Sequence, residues 1–473
     1  LASTDADDRS TDISMISQYV IEEIEVTKAG TPDQEADMLG GTVNFKLRKA
    51  KEGFHGNLIS KGMHNGLKET YDDYKIVMDV SNRFFSHRLG VITQIDTEKR
   101  NRSSHNLRAN YDNTPADLST VNPLNFNGLG LSEIIRDNTR KNHLLLIDYK
   151  IKNGTLSYTS INSTIKKDII SYGESYGITQ SLGGRYLNNG DIVNKINVMN
   201  ETWNYEKQIN PNLSFEIFNS FSRSTNGDTS YVFRFIQDQA FTEPLFNKNI
   251  NTIQSFMIHD TNSIFFSGYD YVENKTIEKE RSYGANLIYK HKITDHISGK
   301  LKFGLKIKKK SRYYDRDIEQ GDFDGNSSFH AEMRQGAIDY FDWMDGMYSE
   351  TSTVPIKYFE NDAYDDEKFL NGNYSLGPFA DLNKMVQLSS YMRKNWSGAR
   401  IDFSNYIHNF HKTSSLIYDY SGLEDYFGRY FMADMNIGTK LNIVTGVRIE
   451  DNKTSYTSYH GQSTVYPYFN SMG

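Results

Sequence analysis

The chain has no cysteine among its 473 residues and only 8 prolines. The first absence excludes a disulfide framework and a thiolate metal centre, and it suits passage through an oxidising compartment without mispairing. No stretch approaches ~20 consecutive apolar residues, so no helix of this sequence can span a bilayer. A membrane β-strand, however, shows lipid only every second residue, so a mean hydropathy of −0.64 does not argue against a membrane protein. There is no basic excess either: 53 Lys and Arg face 60 Asp and Glu, and a net charge of −7 excludes a general nucleic-acid binder. The first residues, Leu1 to Arg9, are polar and acidic and contain no charged-then-apolar leader. An exported protein needs such a leader, so the expectation is that it was processed or that the gene product starts elsewhere.

What is abundant points to sheet. Tyr (32) and Phe (27) are numerous while the hydrophobic total is only 37%, and aromatic side chains fit a pleated surface better than a helix bundle. In the first fifty residues, Ile13, Ile16 and Val20 have helix-like spacing, Ile24 to Val26 resembles a strand, and Pro32-Asp33 and Gly40-Gly41 mark turns before Thr42 to Leu47. This predicts a small α/β unit over 1–50. From 51 to 473 period-two alternation dominates. In Leu301 to Lys310, Leu301, Phe303, Leu305 and Ile307 share one face while Lys302, Gly304, Lys306 and Lys308 share the other. Leu441 to Glu450 repeats this, with Arg448 and Glu450 on the polar side, and His143, Leu145, Ile147, Tyr149 and Ile151 form a similar face. With 54–64, 72–83, 89–100, 155–168, 192–209, 213–224, 281–293 and 424–438, roughly eleven strands are predicted.

Short turns at 85–88, 152–154, 210–212, 294–296 and 438–439 alternate with long connections at about 101–139, 169–191, 225–280 and 318–421. That asymmetry is the pattern of an up-and-down membrane barrel, with short turns on one side and long loops on the other. A soluble sandwich also alternates, but it rarely places four long loops at one end.

The most specific segment runs from Ile21 to Phe45. Its strand Ile24-Glu25-Val26-Thr27-Lys28, its turn at Thr31-Pro32-Asp33, and Ala36-Asp37-Met38-Leu39-Gly40-Gly41-Thr42-Val43-Asn44 resemble the closing segment of the plug domain in TonB-dependent outer-membrane receptors, in the large-loop branch. Thr445 to Glu450 is the best local match to a barrel strand of that family. The resemblance implies an all-β fold: an antiparallel transmembrane β-barrel, about half of ~22 strands being present, preceded by the C-terminal part of a small α/β plug. Family members often have Arg where this chain has Glu23, so Arg9 or Lys28 is expected to supply the plug cation that meets lumenal carboxylates. The N-terminal half of a plug and the C-terminal half of a barrel have no counterpart here. Half a barrel leaves two unpaired edges in lipid, which hydrocarbon does not tolerate, so the rest is expected elsewhere in the protein.

Catalytic motifs are scarce, and no enzyme activity is expected. Gly173-Glu174-Ser175-Tyr176-Gly177 has the form of a nucleophile elbow, but it falls in an expected loop without a strand-turn-helix setting. His408 and His411 are read equally as solvated loop residues or as ligands. Asp322, Asp324 and Asn326 place oxygens at alternate positions around Gly325, as at the start of a calcium loop, but the twelfth position, which needs a bidentate Glu, is Met333. A polar loop therefore accounts for them better, as it does for Asp362, Asp365, Asp366 and Glu367. No cofactor is expected. The loop from about 318 to 421 is the candidate contact surface for a ligand or partner, because Tyr340, Phe341, Trp343 and Tyr348 sit among Asp339, Asp342 and Asp345.

What the resemblance implies about function is import of a nutrient (a siderophore, oligosaccharide or peptide) through a plugged barrel in the bacterial outer membrane. The implied partners are outer-membrane lipid, a TonB-type energising protein reached through a segment absent here, and a surface lipoprotein lid over the loops. A barrel serving as a structural or docking subunit of a surface assembly is the alternative, and a soluble β-rich adhesin a third.

Overall fold

The computed structural model describes residues 15–36, 40–112, 125–177, 183–245, 248–294, 296–325, 327–349, 353–365, 367–397, 407–438 and 440–459. Two strands, β1 (Ile21–Thr27) and β2 (Thr42–Leu47), pair antiparallel by themselves. All remaining strands belong to one antiparallel sheet. They are β3 (His55–Asn65), β4 (Thr70–Phe84), β5 (Leu89–Asn101), β6 (Ser104–Asp112), β7 (Asn125–Ile151), β8 (Gly154–Gly177), β9 (Arg185–Asn210), β10 (Leu213–Gln237), β11 (Phe265–Thr294), β12 (Ile297–Gly321), β13 (His408–Phe410), β14 (Tyr420–Ile437) and β15 (Leu441–Ser458). The main path runs β15-β14-β12-β11-β10-β9-β8-β7-β5-β4-β3, with β6 attached to β7 and β13 to β12. Each of the eleven predicted strands falls on this path. The sheet is open, with β3 and β15 at its edges among the described residues.

The predicted short turns join neighbouring strands at one end, where Phe85, Ser86, His87, Asn153 and Gly438 adopt the positive φ that tight reversals demand. The predicted long connections need correction. β8 and β9 are separated only by 178–184 and β10 and β11 by 238–264, while most of 101–139 is strand. The strands continue far beyond the expected limits: β11 has 30 residues, about 100 Å of extended chain. Alternation fades in these extensions because both faces carry polar groups, as at Lys166-Lys167-Asp168 in β8, so the period-two test stops early. Gly173 to Gly177 is accordingly strand, not loop.

The two faces of the sheet differ. On one face Phe303 (48% exposed), Leu287 (41%), Ile217, Trp203, Tyr283 and Val447 stand open on β9, β10, β11, β12 and β15. Register places Phe303 between Leu287 and Phe431, with Val447 beyond, so these form one apolar surface. The other face carries the N-terminal residues. Val20 and Ala50 pack on Ile92, Leu144 and Leu146, and Met15 packs on Ile165, Ile196 and Val198. Polar contacts reinforce them: Gln94 Nε2 donates to Ser17 Oγ (2.7 Å), Ser17 Oγ to Asp96 (2.9 Å), and Ser163 Oγ to the Met15 carbonyl (2.6 Å). The helix-like spacing of Ile16 and Val20 yields only a 3-10 turn, Gln18–Val20, because these side chains pack individually onto strands.

Gly41 closes the β1–β2 hairpin. Its φ is +124°, and a Cβ there would lie 2.5 Å from the Thr27 carbonyl oxygen. Gly41→Ala is expected to destabilise this unit by roughly 1–3 kcal/mol, measurable as faster protease cleavage between residues 28 and 42. Gly40 has no such constraint, since a Cβ there meets nothing within 4 Å.

Above the long-loop end lies a second core. Helices α1 (Ser328–Tyr340), α2 (Leu382–Trp396) and α3 (Lys412–Leu416) join 238–264 and the segments between them. Phe323, Met333, Phe359, Phe379, Met385 and Met392 are buried there against Leu129, Tyr172, Phe233 and Phe266 from the strand extensions. The extended strands thus support a packed cap in place of a set of loose loops.

Candidate functional site

Two constructions stand out, one on the inner face of the sheet and one in the cap. The first is built by the turn after β1. Thr31 Oγ1 donates to Asp33 Oδ1 at 2.5 Å, and Gln34 N to the Thr31 carbonyl at 2.9 Å, which sets the carboxylates of Asp33 and Glu35 toward β12. There the polar side of the alternating run meets them. Lys302 Nζ lies 2.7 Å from Asp33 Oδ2, Lys308 Nζ lies 2.8 Å from Glu35 Oε2, and Lys306 pairs with the other Glu35 oxygen. From β15, Arg448 Nη1 donates to the Pro32 carbonyl (3.3 Å) and Glu450 accepts from Ala36 N (3.0 Å). A cavity of about 370 Å³ remains between this turn and the sheet, lined by Asp33, Glu35, Lys306, Asn286, Tyr430 and Arg448.

Burial alone would raise the Glu35 carboxyl, but hydrogen bonds and charge from Lys306 and Lys308 outweigh it and hold it down at about 2. The stabilisation is therefore fully present above the ordinary glutamate value of 4.5 and is lost as pH falls toward 2. Glu35→Gln leaves two lysines facing a neutral partner. It is expected to weaken retention of the turn by on the order of 1–3 kcal/mol and to remove this acid dependence, read as hydrogen exchange at residues 31–36.

Acids on the N-terminal unit meet lysines on the sheet, while Glu23 pairs with Lys46 at 3.1 Å inside the hairpin. Among the described residues, Arg48 reaches a sheet carboxylate, Asp79 at 3.2 Å; Arg9 lies outside the described residues. Of the signature string, Thr31, Pro32, Asp33 and Ala36 form the contact turn and Gly41 the hairpin closure. Val43 is exposed opposite Val26, Asn44 donates to Glu25 at 3.1 Å, and Asp37 lies outside the described residues.

The second construction is the cap. Ser327 caps α1 through the His330 N–H, and Asp381 caps α2 through Asn383 N (2.8 Å) and Lys384 N (3.2 Å). The four aromatic candidates divide. Phe341 is buried and Trp343 packs 5.0 Å from it, whereas Tyr340 (68%) and Tyr348 (75%) are exposed. Tyr340 and Tyr391, with ring centroids 5.3 Å apart, border a groove of about 390 Å³ floored by Phe341 and Val386 and edged by Gln387 and Lys394. Aromatic rings beside amide and cationic groups suit stacking with accompanying hydrogen bonds.

Asp322 and Asp324 lie at the foot of α1. Burial pushes Asp322 up to about 6, with Asp324 adding repulsion, against the backbone N–H of Asp324 and the charges of Arg234 and Arg334. The Phe323 and Gly325 carbonyls accept from the buried Arg334 guanidinium at 3.2 and 2.9 Å, so a side-chain cation already serves the oxygens of this turn. Asn326 lies outside the described residues, as does Asp366. Among the described residues no group of three or more His, Cys, Asp or Glu is placed to hold a metal. The solvated-loop reading of His408 is corrected: it is buried, with Nδ1 2.9 Å from the Tyr269 hydroxyl and Nε2 3.2 Å from Glu319.

The cap is fastened to the sheet by residues that no motif in the sequence singled out as a contact. Glu174 and Arg185, both fully buried, form a bidentate pair at 2.9 and 2.8 Å. Glu174 accepts from Gly377 N at 3.0 Å, Arg185 donates to the Gly377 carbonyl, and Asn189 donates to the Ala380 carbonyl at 2.8 Å. The Gly-Glu-Ser-Tyr-Gly string is thus an anchor whose Glu174 and Tyr176 point into the cap and hydrogen-bond each other. No signal in the sequence marked it, because 169–191 lacks the alternation that would have placed Glu174 on a strand. No protein-family model matches the chain, and no curated protein matches it either.

Proposed function

We propose that the chain is the first part of the wall, together with the last part of the plug, of a TonB-dependent receptor that imports a nutrient across the bacterial outer membrane. One observation carries this reading. Along β12, Phe303, Leu305 and Ile307 are exposed while Lys302, Lys306 and Lys308 between them bind Asp33 and Glu35 of the N-terminal unit. A sheet apolar outside and polar inside, with a globule held on its polar face, is what a bilayer and a plugged lumen require. No helix of the described residues is long and apolar enough to cross a membrane, so strands would have to do so.

In this reading the remaining strands of the full-length protein close the wall. Substrate enters from the cap side, and a periplasmic TonB-type partner pulls on the plug. The acid–lysine contacts at residues 33–36 are strong enough to hold the plug and, being exchangeable for water, weak enough to yield. The chain's own chemistry is binding and displacement, with no bond made or broken in the substrate.

The test is a reversible lock. Glu35→Cys with Lys306→Cys, in a chain without native cysteine, is bridged by a short reducible bis-thiol reagent in the full-length protein. Uptake of its nutrient stops on bridging and returns on reduction; unchanged uptake in the bridged protein rejects plug movement at this contact. The docking-subunit reading is favoured by the packed cap, which is built more like a protein interface than an open mouth. Removal of the TonB-contacting segment separates the two, abolishing uptake in the first and sparing assembly in the second.

A further inference from the structure

The outward face of the sheet changes character at one level. Below it β10, β11 and β12 present Phe215, Ile217, Leu287, Tyr283, Phe303, Leu305 and Ile307; immediately above it come cations. Lys309 pairs in register with Arg281, which pairs with Phe221, and in the next outward row Ser311, Lys279, Arg223 and Met199 follow one another across four strands. Arg223, Lys279, Arg281 and Lys309 are all exposed and line a shallow cavity of about 590 Å³ whose apolar members include Phe221, Met199 and Leu423.

These cations differ from those inside. Lys302 and Lys310 on the inner face have carboxylates at 2.7 and 3.0 Å. On the outer face Lys309 has, among the described residues, only Asp425 at 4.0 Å, and Arg281 lies 5.3 Å over the Phe221 ring. Arg223, Lys279 and Arg281 have no ion pair among the described residues. The level is also physically meaningful. From Ile297 to Ile307 the outward side chains of β12 span ten residues, about 34 Å of strand, which at a tilt of about 40° gives roughly 25 Å of height. That is the height of an apolar membrane band, and Lys309 is the first outward residue beyond it on the cap side.

We propose that this patch binds the phosphate groups of an acylated, phosphorylated glycolipid in the outer leaflet. The inference rests on the membrane reading given above. Arg223 and Arg281 present planar forks suited to phosphate oxygens, Lys279 and Lys309 add point charges, and Phe221, Met199 and Leu423 continue into the apolar band, where acyl chains lie. A free anion would use the charges but not this continuity.

The test uses the full-length protein in nonionic detergent and measures retained lipid by native mass spectrometry. The probes are a bisphosphorylated acyl-disaccharide lipid, its dephosphorylated form and inorganic phosphate. The bisphosphorylated lipid is expected to bind on the order of 100-fold more tightly than the dephosphorylated one, and the triple variant Arg223→Gln, Lys279→Gln, Arg281→Gln to lose the same factor. The acyl part is expected to matter as well, so that inorganic phosphate fails to compete at equal concentration. Equal binding of the two lipids, an unaffected triple variant, or effective competition by inorganic phosphate overturns the proposal. A protein monodisperse without detergent removes the membrane reading and this site with it, whereas a detergent-dependent protein indifferent to phosphate removes the site alone.

Discussion

Arg185→Ala is expected to loosen the cap from the wall by about 3–5 kcal/mol. The guanidinium is fully buried and holds Glu174 through two hydrogen bonds. Its removal leaves a carboxylate in the apolar cluster of Tyr172, Phe241 and Phe379 with, among the described residues, only the Gly377 N–H and the Tyr176 hydroxyl as donors. Because Arg185 also donates to the Gly377 carbonyl, the segment 374–381 loses one of its attachments at the same time, keeping that of Asn189 to the Ala380 carbonyl. Hydrogen exchange should therefore rise in α2 and in 374–381 while the turn-end halves of β8 and β9 stay protected. The double variant Glu174→Gln with Arg185→Met, which leaves no buried charge, should recover much of the loss; equal destabilisation by both variants would assign the effect to packing and not to charge.

Leu287→Arg is expected to cost about 2–4 kcal/mol in assembly into lipid. Leu287 lies on the outward face between Phe215 and Phe303, close to the middle of the apolar band. In water the same change at a 41% exposed position would lie within about 0.5 kcal/mol, so the substitution separates a lipid-facing wall from a soluble sheet. Folding yield of the full-length protein into lipid vesicles, compared between Leu287→Arg and Leu287→Ala, measures it.

These two residues also illustrate what the sequence disclosed. Leu287 was legible, because its strand alternates greasy and polar side chains and any sheet with one apolar side must do so. All eleven strands of the main path were found on that basis. Glu174 and Arg185 were not legible: they lie in strand extensions where alternation is masked, and their meaning depends on Gly377, which only the folded cap brings near. In β7, Leu144 and Leu146 are the residues buried against the N-terminal unit, while Leu145 and Ile147 stand with His143 and Tyr149 on the other, less buried face. A continuous apolar run fits either face, and the N-terminal unit packing on the inner one decides the matter. In the cap, Tyr340, Phe341, Trp343 and Tyr348 looked equivalent in sequence, yet a core and a groove both require aromatics. The turn from Thr31 to Ala36 was recognised by its string, but its partners Lys302, Lys306 and Lys308 were recognised only as a polar face.

The central claim is that one face of the sheet meets lipid and the other holds the N-terminal unit. Because the chain lacks cysteine, single cysteines can be placed at 301 to 308 along β12 in the lipid-embedded full-length protein and spin-labelled. Accessibility to oxygen, which partitions into hydrocarbon, is predicted to be high at 303, 305 and 307 and low at 302, 306 and 308. Accessibility to a water-soluble relaxant is predicted to be low at 303, 305 and 307. High exposure of 303, 305 and 307 to the water-soluble relaxant would contradict the account.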